Sequence, residues 1–274
     1  MKQRIITGAM LTAAAILIIF FGGVWVGTAA MIAIILSMYE EYKALSAAGH
    51  RPVSWPTWVT AVTAVPLTYY LGIKALSILL VCTSILTLTI VIYRKEPKYE
   101  DAISSLLPLV SIVIPGLCIV SMAFVKPMEV QRIMLSLVVA VPVVGDTAAY
   151  FAGKRYGKKK LCPEVSPNKT VIGAVAGVLG SLCTSLIVAL IAYFTCRDLL
   201  TVLLPHWWTY VFIGLFGGFS SQIGDLFASL VKRHCGIKDY SNLFPGHGGM
   251  LDRMDSILFM AIVVFCVCLT GNRF

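Results

Sequence analysis

Charge is scarce in this sequence, and that scarcity excludes more than any single motif does. Asp, Glu, Lys and Arg make up 13% of the 274 residues, about half of the roughly 25% carried by a soluble domain. Hydrophobic residues make up 58% and mean hydropathy is +0.88, so the chain belongs in lipid. Metal-spaced cysteine pairs are also missing. The eight cysteines are scattered, mostly in apolar stretches, and Cys266 and Cys268 form a lone CxC that reads as packing. A disulfide framework is not indicated. There is no internal repeat, low-complexity tail or soluble domain. No polar region follows the first apolar stretch, so a cleaved signal peptide is not expected. The net charge of +9 lies in short loops without a nucleic-acid motif, which argues against a nucleic-acid partner.

What is present is a series of long apolar runs. A spanning helix needs about 20 apolar residues, and nine segments qualify, at approximately 5–21, 24–39, 57–73, 75–92, 103–125, 133–152, 171–194, 207–230 and 256–270. The first two form one uncharged run broken only by Gly22-Gly23, read as a tight helical hairpin. The fold class is therefore an all-α polytopic membrane protein with about nine transmembrane helices. With nine spans, the N-terminus shares a side with the loops around 40–56, 93–102, 153–170 and 231–255. That side carries 17 of the Lys and Arg residues and the other side 5. The positive-inside rule then puts the N-terminus and these loops in the cytoplasm.

Polar residues are unevenly placed. Up to about residue 130 the chain is chemically quiet, with Glu40 and Glu41 simply ending the second span. Residues 1–130 are expected to form a transmembrane scaffold, and 131–274 a catalytic region, within one integrated membrane domain. In the second half Asp146 and Asp225 lie inside spans. An acid at a span's centre costs about 2.5–3.5 kcal/mol, so such a residue is a functional candidate. Gln222, Ser229 and Lys232 share the helical face of Asp225. The densest block runs from Ser229 to Asp255 and holds Lys232, Arg233, His234, Lys238, Asp239, His247, Asp252, Arg253 and Asp255.

Asp252 and Asp255, three residues apart at a helix start, suit the helix dipole. Asp252 also follows Gly246-His247-Gly248-Gly249, and glycine-rich backbone entering a helix makes a phosphate cradle. Carboxylates beside such a cradle repel an anion unless a cation lies between. Oxygen-only candidate ligands point to Mg²⁺. Lys232, Arg233, Lys238 and Arg253 are candidate anion contacts. His247 can ligate metal, pair with phosphate, serve in acid–base chemistry or simply be satisfied by backbone. His50, His206 and His234 have no supporting company. In the loop before the seventh span, Lys158, Lys159 and Lys160 read as a headgroup-facing run. Ser166-Pro-Asn-Lys169-Thr170 offers hydroxyls and an ammonium suited to a triphosphate.

The block from Ser229 to Asp255 resembles the signature of phosphatidate cytidylyltransferases, also called CDP-diacylglycerol synthases. Its S-x-x-K-R, K-D, H-G-G and D-R-x-D elements fall on Ser229/Lys232/Arg233, Lys238/Asp239, His247/Gly248/Gly249 and Asp252/Arg253/Asp255. The G-D-T-x-A-Y segment around Asp146 and the S-P-x-K-T turn are also similar. The chain departs at Ile172, where many of that family carry Glu or Gln.

The resemblance implies CTP and phosphatidic acid as substrates, CDP-diacylglycerol and pyrophosphate as products, and a Mg²⁺ requirement. It implies catalytic roles for Asp225, Asp252, Lys232, Arg233 and His247, with Asp225 and Asp252 as metal ligands and Asp146 and Asp255 as second-rank candidates. Substrate contacts would come from Ser166, Lys169, Thr170, Ser229, Lys238, Gly248, Gly249 and Arg253. It also suggests a homodimer. The expected setting is the cell (inner) membrane among its lipids, with the active site facing the cytoplasm. The alternatives are a CTP-dependent kinase of a polyprenol-type lipid and, from another class, a cation-coupled transporter.

Overall fold

A computed structural model describes residues 2–71, 73–195 and 207–270. His206, and Arg197 and Arg273 among the five cations counted on the opposite side, lie outside these residues. Among the described residues the chain forms nine helical segments, one on each expected span. They are α1 (Lys2–Phe21), α2 (Gly23–Ala47), α3 (Trp55–Leu71), α4 (Ile73–Ile92), α5 (Tyr99–Met122), α6 (Met128–Tyr156), α7 (Val171–Thr195), α8 (Trp207–His234) and α9 (Leu251–Thr270). Six of them, α2 and α4 to α8, are long and apolar enough to cross a membrane. Gly22 separates α1 from α2 with φ of 66°, a left-handed conformation that glycine adopts without steric cost.

Two features lie outside the expected pattern. The loop before α7 contains a small antiparallel hairpin of β1 (Lys160–Cys162) and β2 (Ser166–Thr170). Both α5 and α8 contain a single π-helical turn, at Leu109–Val113 and Ile213–Gly217.

Close helix approach in lipid relies on small residues, because lipid tails are as apolar as the side chains they would replace. The most extensive pairing in the molecule, α6 with α7, follows that rule. A Cβ on Gly173 would lie 2.8 Å from the Ala149 carbonyl oxygen, and one on Gly180 would lie 2.8 Å from the Ala148 Cβ. The pairing bears on the candidate site, because α6 carries Asp146 and the hairpin feeds directly into α7. Helices α8 and α9 meet in a similar way at Gly224, where a Cβ would reach the Asp255 carbonyl at 2.5 Å. Ile34, Met38, Ile112, Met134, Leu137, Ile213, Leu258 and Met260 form the fully buried centre.

The tight α6–α7 contact gives a direct test. Gly173→Val should cost about 1–3 kcal/mol through overpacking, seen as a lower thermal unfolding midpoint of the detergent-purified protein. Val175→Leu, on the outward face of the same helix, should leave the midpoint unchanged.

Candidate active site

Helix α8 stops because of local sequence, and its stop sets the site. Gly236 has φ of 66°, its N–H donates to the Arg233 carbonyl, and the Ile237 N–H donates to the Lys232 carbonyl at 2.9 Å. This is the Schellman arrangement that ends a helix at a left-handed glycine. The stop lies beyond the apolar run, so Asp225 sits nine residues before the helix end. That is a depth of roughly 14 Å, greater than the apolar run alone implies. The chain then returns through a turn over Phe244-Pro245-Gly246-His247. Its His247 N–H donates to the Phe244 carbonyl at 2.8 Å, with proline second and Gly246 at φ of 79° third, the signature of a type II turn.

That return brings Asp252, on the first turn of α9, against the last turn of α8. Asp252 is 7% exposed. Its Oδ1 lies 2.6 Å from the Lys232 ammonium, and its Oδ2 accepts the backbone N–H groups of Tyr240 and Gly249, each at 2.9 Å. Gly248 has φ of 80° and leaves no room for a side chain, since a Cβ there would sit 2.7 Å from Asp252 Oδ2. Lys232 also lies 5.5 Å from the centre of the Tyr240 ring. Burial, reinforced by nearby Glu41 and Asp252, pushes the Tyr240 phenol well above its ordinary range. It therefore stays neutral, 3.4 Å from the Ala228 carbonyl that its hydroxyl faces as donor.

A second group forms deeper between α6, α8 and α9. Asp225 Oδ2 pairs with the Lys169 ammonium at 2.6 Å, which ties the β2 strand to α8, and Ser229 approaches Asp225 Oδ1 at 3.5 Å. Ser256 connects two further acids: its hydroxyl donates to Asp146 Oδ2 at 3.3 Å and its N–H to Asp255 Oδ1 at 2.7 Å. Asp146 and Asp255 each lie within electrostatic reach of Asp225. Three carboxylates are thus gathered with Lys169 beside Asp225, while Arg253, itself exposed, lies within electrostatic reach of Asp146.

Other residues singled out from the sequence take various places. Thr170 is buried and its Oγ1 accepts the Gly173 N–H at 3.1 Å, capping α7. Ser166 opens β2 opposite Cys162. Arg233 is exposed and donates to the Val165 carbonyl at 3.4 Å, and Lys238 is exposed in the returning loop. His247 turns toward α1, where a Cβ on Gly8 would lie 3.3 Å from its Nε2. Its buried Nδ1 has no hydrogen-bond partner among the described residues. The Gly249 N–H is given to Asp252, so this amide is not free to hold an anion. His50 and His234, which have no company in sequence, meet with Nε2 atoms 2.8 Å apart and rings stacked.

The residues that sequence reasoning missed are Glu40 and Glu41. Both are buried, at 4% and 1% exposure. Glu40 accepts hydrogen bonds from the loop before α9. Glu41 accepts the Ser111 hydroxyl at 2.9 Å and lines a small cavity together with Tyr240 and Asp255. Acids at a helix end have an ordinary solvated reading, and no local sequence signal separates these two from it.

Among the described residues no three His, Cys, Asp or Glu side chains converge closely enough to enclose a metal. Mg²⁺ does not require such a cage: it usually binds through one or two carboxylates, with substrate phosphates and water completing the shell. Asp225, flanked by Asp146 and Asp255, fits that demand in donor chemistry. Asp252 is more committed, because both its oxygens already meet donors within the protein.

A sequence model of the cytidylyltransferase family matches residues 2–270. Over 115 residues the chain is 44% identical to the phosphatidate cytidylyltransferase of Bacillus subtilis, covering 42% of this chain and 39% of that protein. It is 37% identical over 131 residues to the phosphatidate cytidylyltransferase of Thermotoga maritima, covering 48% and 47%. It is also 38% identical over 133 residues to the uncharacterized protein YnbB of Escherichia coli, covering 48% and 41%. The matched stretches span less than half the length of each of these relatives.

The Lys232–Asp252 pair should be coupled in stability. Breaking a buried pair from one side leaves an uncompensated charge and costs about 3–5 kcal/mol. Lys232→Met and Asp252→Asn should therefore each lower the unfolding midpoint. The double variant should lose clearly less than the sum of the two, as read from a double-mutant cycle of thermal unfolding.

Proposed function

The chain belongs to the cytidylyltransferase family, and from that premise we propose that it is a phosphatidate cytidylyltransferase. The reaction would convert CTP and phosphatidic acid to CDP-diacylglycerol and pyrophosphate. The observation that carries the reading is the alternation of cations and acids at one end of the bundle. Lys169 and Lys232 each lie 2.6 Å from a carboxylate, and Asp146 and Asp255 stand beside the first of these pairs. Such a site suits a triphosphate and a phosphomonoester brought together with a divalent cation.

The chemistry asks little covalent work of the protein. A phosphatidate oxygen attacks the α-phosphorus of CTP, and a new P–O bond forms. The bond from that phosphorus to the oxygen bridging toward the β-phosphate breaks, with its electron pair leaving on pyrophosphate. The lipid phosphate is already anionic, so no base has to remove a proton from it. Positioning and charge neutralisation then supply the catalysis, as in phosphoryl transfer generally.

Asp225 would hold Mg²⁺ together with one of its two acidic neighbours, Asp146 or Asp255, with phosphates and water completing the shell. Asp252 would join them only by sharing or releasing Lys232. Bound there, Mg²⁺ would neutralise charge on the phosphates. Lys169 and Lys232 already face carboxylates across short distances and would turn part of that charge toward the entering phosphates. Arg233, Lys238 and Arg253 lie exposed around them and would gather the nucleotide and lipid anions. Ser166, Ser229 and Thr170 would line the approach. His247, packed toward α1, has no required proton-transfer role in this scheme.

The excess of Lys and Arg on the side carrying these loops favours the cytoplasmic face of the cell membrane. There CTP is available and inner-leaflet lipid can enter laterally. The N-terminus would lie on the same side.

The test is cytidylyl transfer by the detergent-purified protein with labelled CTP, phosphatidic acid and Mg²⁺. Labelled CDP-diacylglycerol should form and should disappear with EDTA. Asp225→Asn should lower the rate about a hundredfold or more, in keeping with loss of a charge-stabilising group, while the protein stays membrane-inserted. Phosphorylation of an added polyprenol instead would move the assignment to a lipid kinase. Substrate uptake into liposomes without either product would move it to a transporter.

A further inference from the structure

Glu40 lies where the apolar run of α2 ends, two turns before the helix itself does, in the half of the chain that reads as chemically quiet, yet its carboxylate holds the start of α9. Its Oε1 accepts the Ser241 hydroxyl at 2.6 Å and the Met250 N–H at 3.0 Å. Its Oε2 accepts the Leu251 N–H at 2.8 Å. These backbone groups are among those that a helix start leaves without an intrahelical partner. The preceding N–H, that of Gly249, goes to Asp252. Two carboxylates thus divide three successive N–H groups between them, one from α9 itself and one from 210 residues away in sequence. The fit is close: a Cβ at Gly249 would land 2.5 Å from both Glu40 oxygens. Any larger residue there would push the carboxylate off the helix start.

We propose that Glu40 is a positioning residue for the reaction. It anchors the first turn of α9 so that Asp252 meets Lys232 and Asp255 and Ser256 face Asp225 and Asp146. The inference rests on the proposed cytidylyl transfer. It also assigns the helix start a role different from a phosphate cradle. The N–H groups of residues 249 to 251 are taken by the protein's own carboxylates, so the phosphates are left to the cationic side chains. Glu40 accepts from three donors and is suited to do so only as a carboxylate. A glutamine there keeps the shape but turns an NH₂ toward a donor, which sets two donors against each other.

The test compares wild type, Glu40→Gln and Glu40→Asp as full-length protein in detergent. Four readouts are taken: kcat, KM for CTP, the folded fraction, and the shift in unfolding temperature caused by Mg²⁺ without substrates. Glu40→Gln should lower kcat about tenfold to a hundredfold, the scale set by small misplacements in an active site. KM should stay within about threefold, since substrate binding in the ground state is largely untouched. The Mg²⁺-induced shift should fall to less than half. Glu40→Asp keeps the charge with a shorter reach and should lie between the two. A Glu40→Gln protein that is folded and keeps wild-type kcat and Mg²⁺ shift would overturn the proposal. So would a loss of rate that merely tracks the folded fraction. A wild type that shifts with Mg²⁺ but makes no liponucleotide would overturn the functional reading instead, and the shift in the variants would still judge Glu40.

Discussion

A carboxylate taken out of water must be met by donors or cations, because its hydration is worth far more than any single contact replacing it. Asp252 is the residue on which this structure meets that demand most fully, with one ammonium and two backbone N–H groups on its two oxygens. Much of the surrounding backbone follows from it. Helix α8 has to end where Lys232 can reach across, and Gly236 ends it there. The chain has to return tightly, which Pro245 and Gly246 accomplish. Residues 248 and 249 must lack side chains, because the Asp252 and Glu40 carboxylates occupy the space. The glycines of this loop are there for close approach as much as for turning.

Large parts of this arrangement are legible in the sequence. Each of the nine apolar runs carries a helix among the described residues, and the Gly22-Gly23 break falls between α1 and α2. The polar block from Ser229 to Asp255 is where the buried pair forms, and the family match over residues 2–270 agrees with the resemblance read from its motifs. Helix α8 outlasts its apolar run, because counting apolar residues stops at the first cation. A helix stops where its hydrogen bonds do, and α8 carries Lys232 and Arg233 on its last turn before ending at His234.

What the sequence hides are contacts between distant elements. Glu40 and Glu41 look like solvated acids at a helix end, and only the packing of α2 against α9 makes one a cap and the other a buried neighbour of Asp255. His247 has several roles open to it in sequence and lies instead against α1. The β1–β2 hairpin is too short to give a periodic signal, yet it delivers Lys169 to Asp225. The expected scaffold half and catalytic half are joined at the candidate site, where the start of α9 leans on Glu40 from the first half.

The proposed chemistry draws on the same electrostatics. Acids and lysines hold one another in place at the end of the bundle, and a triphosphate with its cation would enter that balance. No side chain is asked to become a nucleophile, and no proton has to leave the lipid phosphate. Direct attack of one substrate on the other is the central claim. It is tested most directly by the stereochemistry of transfer from CTP carrying a single sulfur at the α-phosphorus. A single in-line displacement predicts inversion at that phosphorus in the CDP-diacylglycerol product. Retention would require a covalent nucleotidyl-protein intermediate and would contradict the account.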